Sequence, residues 1–325
     1  MANNMTSDGV HYPCDTEFPT FTGTLFILIF ILSVIGNSLL LRVLFIYEGL
    51  KSITNIFILN LACSDLIFTI TLPVWAVGHL HRWVFREFVC KFMTAAFFAG
   101  LYSSVILLTA MTVARFIRVV LPNWKSNRAR RKKCAIGACV AAWIISISAS
   151  LSDAVKVQVE QWHDKEYCYD KSDDKLGHYL QVSLLFFLPF AIIIFCYSAI
   201  LKTVLQGLNR NKIKTVAMLL CIVAAFFICW GPYHIMLLIE ALNTDKDCKP
   251  KEQLDVAYHI CEMLAYSHCC MNPLLYMLSK KMRKHLLNLM HCENVCRKNR
   301  ERNTRQDVAF TAQRSADSPH SQSLH

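Results

Sequence analysis

Four polar side chains interrupt stretches of sequence that otherwise consist of apolar residues. Asp65 lies in LNLACSDLIFTITLPVW, Asn37 in VIGNSLL and Asn272 in MNPLLY, and Ser104 lies in a fourth apolar stretch. A polar group at the depth of a membrane is costly, so each is a functional candidate. If the helices that carry them are neighbours, the four side chains can share a hydrogen-bonded network. That network is either a structural clasp or a switch, and as a switch it could bind sodium at Asp65 and Ser104.

Arg115 raises a second question of chemistry. It follows a run of 23 residues, from Phe92 to Ala114, that contains no charged side chain. Neither Ala114 nor Phe116, its two neighbours, can pair with a guanidinium group. The question is therefore what an isolated cation does at the end of an apolar helix.

The composition indicates a chain that crosses a membrane several times. Hydrophobic residues make up 54% of the 325 residues and charged residues 18%, which is typical of a polytopic membrane protein. A membrane-spanning helix needs about 20 apolar residues. Seven stretches meet this need, near 18–46, 53–79, 90–120, 134–155, 179–206, 212–241 and 253–278. We predict an all-α membrane protein, a seven-transmembrane helix bundle over 18–278.

Three segments lie outside this bundle. Residues 1–17 form an acidic tail, which we expect on the extracellular side. Residues 280–292 alternate basic and apolar side chains at helical spacing, which predicts a short amphipathic helix on the cytoplasmic membrane surface. Residues 293–325 are polar and are predicted to be a disordered cytoplasmic tail with several serines and threonines that kinases could phosphorylate.

The charges predict the orientation of the bundle. Arg42 and Lys51 follow the first span, whereas Asp8, Asp15 and Glu17 precede it, so the positive-inside rule places the amino terminus outside and the carboxyl terminus in the cytoplasm. The net charge of +11 then divides into a basic cytoplasmic side and an acidic outer side. The excess of basic residues on the cytoplasmic side accounts for the basic pI without a nucleic-acid partner. An acidic outer mouth would attract a basic ligand, although loops that are merely charged remain the simpler alternative.

The cysteines divide by compartment. Of the 15 cysteines, four lie in the predicted outer segments: Cys14, Cys90, Cys168 and Cys248. An even set in an oxidising compartment indicates two disulfides, but four cysteines allow three pairings. On the inner side, Cys292 and Cys296 follow the amphipathic stretch and are candidates for lipidation.

Prolines interrupt four of the predicted spans. Pro73, Pro189, Pro232 and Pro273 each remove a backbone hydrogen bond and bend a helix. Three of them lie beside Trp75, Trp230 or Asn272. We expect these helices to pivot, although a tryptophan such as Trp230 more often only packs.

In their order and spacing, these motifs resemble the rhodopsin-like G-protein-coupled receptors. The matching residues are GN at 36–37, LACSD at 61–65, Cys90, Trp143, Pro189 with Tyr197, CWGP at 229–232 and NPLLY at 272–276. Within that family the chain is similar to the chemokine receptors, through TLP at 71–73, WVFREFVC at 83–90, SHCCMNPLLY at 267–276 and the additional outer cysteines. Residues 47–61 and 252–261 are most similar to the XC-type (lymphotactin) receptors.

The resemblance implies a function for the outer face. It favours disulfides between Cys90 and Cys168 and between Cys14 and Cys248, and a small basic chemokine as the ligand. The ligand-binding candidates are Asp8, Tyr12, Asp15, Glu17, Trp75, Phe97, Tyr102, Tyr233, Glu240 and Glu262. Tyr12 is a candidate for sulfation. Glu262 is either a ligand anchor or a member of an internal salt bridge, and we favour the anchor.

The outer tail also carries a modification motif. Asn4, Met5 and Thr6 match the acceptor sequence for N-glycosylation. We expect a glycan on Asn4 if this motif is more than a chance match.

The resemblance also implies a function for Arg115. The family keeps an Asp-Arg-Tyr triplet here, whose acid holds the arginine in the resting state, and this chain has Ala114-Arg115-Phe116. We expect either signalling with raised basal activity, or a scavenger that takes up chemokine without coupling, unless another group restrains the arginine. The residues implied in activation and G-protein coupling are Asn37, Asp65, Ser104, Arg115, Tyr197, Trp230, Pro232, Asn272, Pro273 and Tyr276.

Other classes of protein fit the sequence less well. A transporter or channel needs a polar path, yet Asp65, Arg115 and Glu262 lie at three separate depths, and no duplicated halves are visible. The sequence has no nucleophile–base pair, metal-ligand cluster or phosphate-binding loop, so we expect no enzyme and no cofactor. The expected partners are a chemokine, a heterotrimeric G protein, arrestin, receptor kinases and the lipid bilayer of the plasma membrane.

Overall fold

The structure is a computed structural model that describes ten ranges of the chain. They are 18–50, 52–81, 83–121, 127–162, 165–170, 175–206, 210–242, 248–277, 283–285 and 287–289. Residues up to Tyr276 form one compact unit, and residues from Met277 onward form another. Within the second unit, residues 283–285 and 287–289 are helical.

Most of the described residues up to Tyr276 are helical, and the predicted spans correspond to these helices. They are α1 (Phe18–Val43), α2 (Ile53–Thr69), α3 (Leu72–Leu80), α4 (Glu87–Val120), α5 (Arg128–Lys156), α6 (Lys175–Gln206), α7 (Arg210–Leu242), α8 (Cys248–Tyr266) and α9 (His268–Met277). A π-helical turn, Leu44–Glu48, extends α1. The second predicted span therefore consists of α2 and α3, and the seventh consists of α8 and α9.

The helices are long and apolar enough to cross a membrane. Within the described ranges, five helical segments meet both conditions: Phe21–Glu48, Ile53–Leu80, Glu87–Val120, Ala129–Lys156 and Phe186–Val204. A shorter apolar stretch, Val223–Ile239, lies within α7. Large apolar side chains also cover the outside of the bundle, and on α5 they recur every three or four residues at Ile136, Val140, Ile144, Ile147, Leu151 and Val155. A face of this kind suits contact with lipid.

Helix α4 is the centre of the packing. It contacts α2, α5 and α6 along its length, and it contacts strand β1 (Val157–Trp162) near its beginning. Gly100 lets α2 approach closely, because a Cβ atom there would lie 2.8 Å from the backbone nitrogen of Phe68. The Ser64 hydroxyl donates to the Gly100 carbonyl at 2.7 Å. One turn earlier on α2, the Trp143 indole donates to Asn60 Oδ1 at 2.9 Å and joins α5 to α2.

The prolines affect the helices in two different ways. Pro73 lies at the start of α3, where a missing N–H costs little, and the chain is interrupted between α2 and α3 just before it. Pro189, Pro232 and Pro273 lie inside α6, α7 and α9. The seventh span is interrupted at Ser267, between α8 and α9.

A β-hairpin that we did not predict follows α5. Strands β1 and β2 (Lys165–Asp170) pair in antiparallel register, with Val159 opposite Cys168. Cys168 is bonded to Cys90 at the beginning of α4, with 5.8 Å between their Cα atoms. The Trp83 N–H donates to the Glu166 carbonyl at 3.0 Å. The hairpin is therefore held over one end of the bundle by a covalent bond and by backbone contact.

The close approach of α2 and α4 gives a test of the packing. We expect Gly100→Ala to destabilise the protein by about 1–3 kcal/mol, because the added methyl group collides with the backbone at Phe68 rather than with a movable side chain. The measurement is the melting temperature of the purified protein in detergent, followed by a thiol-reactive dye that reports exposure of buried cysteines.

Gly137→Ala is the matched control. No atom lies within 4 Å of a Cβ built at Gly137, and alanine is the better helix former by up to ~1 kcal/mol. Its melting temperature should stay level or rise. Equal losses in the two variants would contradict the packing described for Gly100.

Candidate functional site

A buried carboxylate joins three helices in the middle of the bundle. Asp65 in α2 is fully buried. Its Oδ2 accepts a hydrogen bond from the Asn272 amide of α9 at 2.7 Å, and its Oδ1 accepts one from the Ser104 hydroxyl of α4 at 3.3 Å. Ser64, one residue before Asp65, bonds to Ser104 at 2.9 Å. Three of the four polar residues identified in the sequence therefore meet in one network.

His268 completes the surroundings of this carboxylate. Its Nδ1 lies 2.9 Å from the Ala265 carbonyl, and a carbonyl only accepts, so Nδ1 carries a proton. Its Nε2 then lies 3.7 Å from Asp65 Oδ1. His268 is therefore a buried, hydrogen-bonding residue of the core.

Asn37 lies in the same region but bonds differently from our expectation. Its amide donates to the Cys269 carbonyl at 2.9 Å and to the Ser33 carbonyl at 3.1 Å, and no direct bond to Asp65 is present among the described residues. Asn37 therefore fastens α1 to the backbone of α9, and it belongs to a neighbouring clasp rather than to the carboxylate network. The Ser33 hydroxyl extends that clasp to Thr69 of α2 at 2.6 Å.

The oxygen atoms around Asp65 fit the chemistry of a sodium ligand set. A carboxylate and the hydroxyl groups of Ser104 and Ser64 are hard donors, and Asp65 would bring a full charge when ionised. The imidazole of His268 faces the same carboxylate oxygen at 3.7 Å. The described residues contain no group of three or more His, Cys, Asp or Glu side chains that could hold a metal ion, so sodium binding stays a prediction.

An aromatic layer lies next to this network. Trp230 of α7 is fully buried, and its ring lies 5.2 Å from His268 and 6.3 Å from Tyr266 between ring centres. Phe68, one turn from Asp65 on α2, lies 4.9 Å from His268 and 5.5 Å from Tyr266. The layer therefore connects the polar network with the end of the bundle that carries the hairpin.

Glu262 in α8 is the centre of a second polar cluster at the hairpin end. The residue is 8% exposed. Its Oε1 accepts a hydrogen bond from the Tyr266 hydroxyl at 3.1 Å, and its Oε2 lies 3.2 Å from His259 Nδ1. On the same helix, the Tyr258 hydroxyl lies 3.2 Å from the hydroxyl of Tyr233 in α7. The carboxylate is held by short contacts to a phenol and an imidazole.

A second buried acid in this end of the bundle was missed from the sequence. The Tyr102 hydroxyl donates to Asp153 Oδ2 at 2.7 Å, and Lys156 Nζ lies 3.6 Å from Oδ1. Both Tyr102 and Asp153 are 2% exposed. Tyr102 is thus held by α5, and an acid within a predicted span was the signal that could have identified Asp153.

Two further aromatic ligand candidates, Trp75 and Phe97, lie in different surroundings. The ring of Trp75 lies 5.5 Å from that of Trp83, and Trp75 packs against the cluster formed by Trp83, Cys90 and Val157. Phe97 is buried and lies 5.2 Å from Tyr266. Phe97 therefore belongs to the aromatic layer, and Trp75 lies under the hairpin.

Arg115 lies at the opposite end of the bundle, on α4. Its Nη2 donates to the hydroxyl of Thr54, in the first turn of α2, at 3.1 Å. Tyr197 of α6 is buried within electrostatic range of this guanidinium. Phe116 packs on Phe195 of α6, with 5.9 Å between ring centres. Thr54 was not identified from the sequence, because a threonine near a helix end carries no distinctive pattern.

Some predicted site residues lie outside the described part of the chain. They are Asn4, Asp8, Tyr12, Cys14, Asp15, Glu17, Cys292 and Cys296. Glu240, Cys248 and Tyr276 lie in α7, α8 and α9, but their side chains are not described. The predicted Cys14–Cys248 disulfide, sulfation, glycosylation and lipidation therefore stay predictions.

Comparison with known proteins identifies the family of this bundle. Residues 36–276 match the family described as "7 transmembrane receptor (rhodopsin family)". Chemokine XC receptor 1 from Homo sapiens is 38% identical over 294 residues, which cover 88% of this chain and 87% of the relative. Its counterpart from Mus musculus is 39% identical over 279 residues, 85% of each chain. C-C chemokine receptor type 4 from Homo sapiens is 33% identical over 297 residues, 87% of this chain and 82% of the relative.

The matched region begins within α1 and ends within α9, so it contains both polar clusters and Arg115. Identities of 38% and 39% over most of both chains agree with the resemblance to XC-type receptors that the motifs indicated. These relatives are receptors and not enzymes. The chain therefore belongs to the rhodopsin family of seven-transmembrane receptors and, within that family, is a multi-pass membrane receptor of the chemokine receptor group.

Proposed function

We propose that this receptor binds a basic chemokine at the hairpin end and activates heterotrimeric G proteins through the Arg115 end. The observation that carries the proposal is the buried carboxylate of Glu262, which lies in the hairpin end among hydroxyl and imidazole groups. The hairpin end then faces the outside of the cell and the Arg115 end faces the cytoplasm, as the charges of the sequence predict. The plasma membrane is the location that such a receptor requires.

Ligand recognition has two stages in this proposal. The acidic tail, with Asp8, Asp15, Glu17 and a sulfated Tyr12, attracts the basic body of the chemokine. A basic group of the ligand then enters the bundle and binds Glu262. A desolvated carboxylate gains more from a full positive charge than from a neutral phenol, so the ligand can displace the hydrogen bond from Tyr266.

The contacts below Glu262 provide a route for the signal. Tyr266 lies one turn further along α8, and its ring contacts Phe68 and Trp230. Movement of Tyr266 would therefore press on the aromatic layer next to Asp65 and on α7, which Pro232 weakens. We infer that Asn272 and Pro273 in α9 respond to the same movement, so that α7 and α9 pivot at the cytoplasmic end.

Release of Arg115 from its resting contacts would let partners bind on the cytoplasmic side. In the active state we expect Arg115, with Tyr197 and Tyr276, to contact the G protein. Receptor kinases would then phosphorylate the tail beyond residue 293, and arrestin would bind the phosphates and end the response. The amphipathic stretch 280–292 would lie on the inner membrane surface with Cys292 and Cys296 acylated.

A scavenger is the second candidate function. The observation in its favour is Ala114, which supplies no acceptor for Arg115, so the inner end departs from the receptor pattern. A scavenger would bind and internalise chemokine while G proteins stay silent. We favour signalling, because Arg115 is retained and lies within electrostatic range of Tyr197.

The first experiment is a panel of chemokines applied to cells that express the receptor. G-protein activation and ligand uptake are recorded together. We expect one chemokine or a few to activate G proteins at nanomolar concentration. Uptake without activation would replace the signalling proposal with the scavenger, and no response of either kind would contradict the chemokine proposal.

Glu262→Gln tests the ligand anchor. Removal of the charge should lower the potency of the activating chemokine about tenfold to a hundredfold, because a charge-assisted bond is worth about 1.5–3 kcal/mol. The measurement is a dose–response curve at matched surface expression. Glu87→Gln is the control, since Glu87 pairs with Lys91 on the exposed beginning of α4. A potency loss shared by both variants would point to overall charge and not to Glu262.

Ala114→Asp tests the missing acid. An aspartate next to Arg115 should hold the guanidinium and lower the ligand-independent G-protein signal by about threefold or more. The signal is measured as nucleotide exchange in membranes without chemokine, per receptor. Ala114→Leu, which fills the site without an acceptor, should not lower it. An unchanged signal in Ala114→Asp would show that the acid is not what limits basal activity.

A further inference from the structure

The guanidinium of Arg115 is bonded to a hydroxyl on a different helix. Nη2 donates to Thr54 Oγ1 at 3.1 Å, and both side chains are half-buried. Arg115 is in the last two turns of α4, and Thr54 is in the first turn of α2. These helices pack along their length, so the bond closes the α2–α4 interface at its cytoplasmic end.

The loop before α2 fixes the position of Thr54. The neighbouring Asn55 donates its amide to the Gly49 carbonyl at 3.0 Å. Gly49 has φ +61°, a conformation that glycine adopts without strain, and its N–H donates to the Leu44 carbonyl at 2.8 Å. The first turn of α2 is thereby tied to the end of α1. Thr54 is consequently an acceptor with a fixed place, which makes it a suitable partner for a long and flexible arginine.

A hydroxyl and a carboxylate hold an arginine with different strength. A carboxylate presents two oxygens to the guanidinium fork and carries an opposite charge, whereas a hydroxyl presents one neutral oxygen. A hydroxyl bond to a charged group still contributes more than a bond between two neutral groups. Thr54 should therefore restrain Arg115, but less firmly than an acid at position 114 would.

We propose that Thr54 is the positioning residue that holds Arg115 in the resting state of this receptor, in place of an acid beside the arginine. This proposal rests on the proposed G-protein signalling, because only a signalling receptor has a basal activity that the restraint can lower. When α2 and α4 separate at this end, or when Arg115 turns toward a G protein, the bond breaks. The receptor is thus restrained by a bond between two helices, and the Thr54 hydroxyl contributes to its low basal activity.

The proposal predicts an order of basal activities. Thr54→Val keeps the shape of the side chain and removes the acceptor, so ligand-independent nucleotide exchange should rise about threefold to tenfold. Thr54→Ser keeps the hydroxyl, so its ligand-independent nucleotide exchange should stay at the parent level. Thr109→Val is the matched control, because the Thr109 hydroxyl donates within its own helix to the Val105 carbonyl, and its signal should equal that of the parent. An equal basal signal in Thr54→Val and the parent would overturn the proposal.

A double-mutant cycle tests the bond without any signalling. Thr54→Val, Arg115→Gln and the double variant are purified, and the melting temperature of each is measured. If the two residues hold one another, the shift in the double variant is smaller than the sum of the single shifts. Additive shifts would show that the side chains do not interact, and the proposal would fail.

The two experiments separate this proposal from the proposed function. If no chemokine activates the parent receptor but the cycle is non-additive, the function proposal fails and the Thr54–Arg115 bond stands without a signalling consequence. If a chemokine does activate the parent but Thr54→Val leaves basal exchange unchanged, the function stands and the role of Thr54 is wrong. Where Thr54→Val reaches the membrane poorly, Thr54→Ala removes the same acceptor with a smaller side chain.

Discussion

The buried carboxylate of Asp65 constrains the rest of the bundle. An uncompensated charge in a medium without water is costly, so neighbouring helices must bring donors to it. Asn272 of α9 and Ser104 of α4 do so, and His268 lies against the same group. The rotation and register of α2, α4 and α9 are thereby tied together. The close approach at Gly100 follows, because Ser64 reaches Ser104 only if α2 lies directly against α4.

This constraint also gives the Glu262 cluster at the hairpin end a physical connection to the middle of the bundle. Glu262 bonds to Tyr266, whose ring contacts Phe68, and Phe68 lies one turn from Asp65 on α2. The route consists of packed rings and one hydrogen bond, without a gap. A packed core responds in discrete steps rather than gradually. A ligand that repositions Tyr266 therefore acts on a network that already holds three helices in register.

How much the sequence could predict depended on how unusual each residue is in its surroundings. An acid or amide within an apolar run is rare, so Asp65, Asn272 and Glu262 were identified, as were the helical class and the family. Asp153 had the same signal and was overlooked at the end of a span. Thr54 had none, because its partner is 61 residues away. The β-hairpin was missed because each of its strands is only 6 residues long, and its position depends on the bond to Cys90.

Glu262 and Arg115 are the two charged residues of the proposed function, and the contacts shown for them are of a similar kind. Within the described residues, the contacts shown for Glu262 come from a phenol and an imidazole, and the acceptor shown for Arg115 is a hydroxyl. Groups of this kind satisfy a charge sufficiently for folding, but they gain less from it than an ion of opposite sign does. In the proposed function, a cation of the ligand at Glu262, or an acceptor of the G protein at Arg115, would therefore meet a charged group with which it can pair. The phenol of Tyr266 and the hydroxyl of Thr54 thus help to keep the resting state folded, and both bonds can be exchanged for a stronger charged contact.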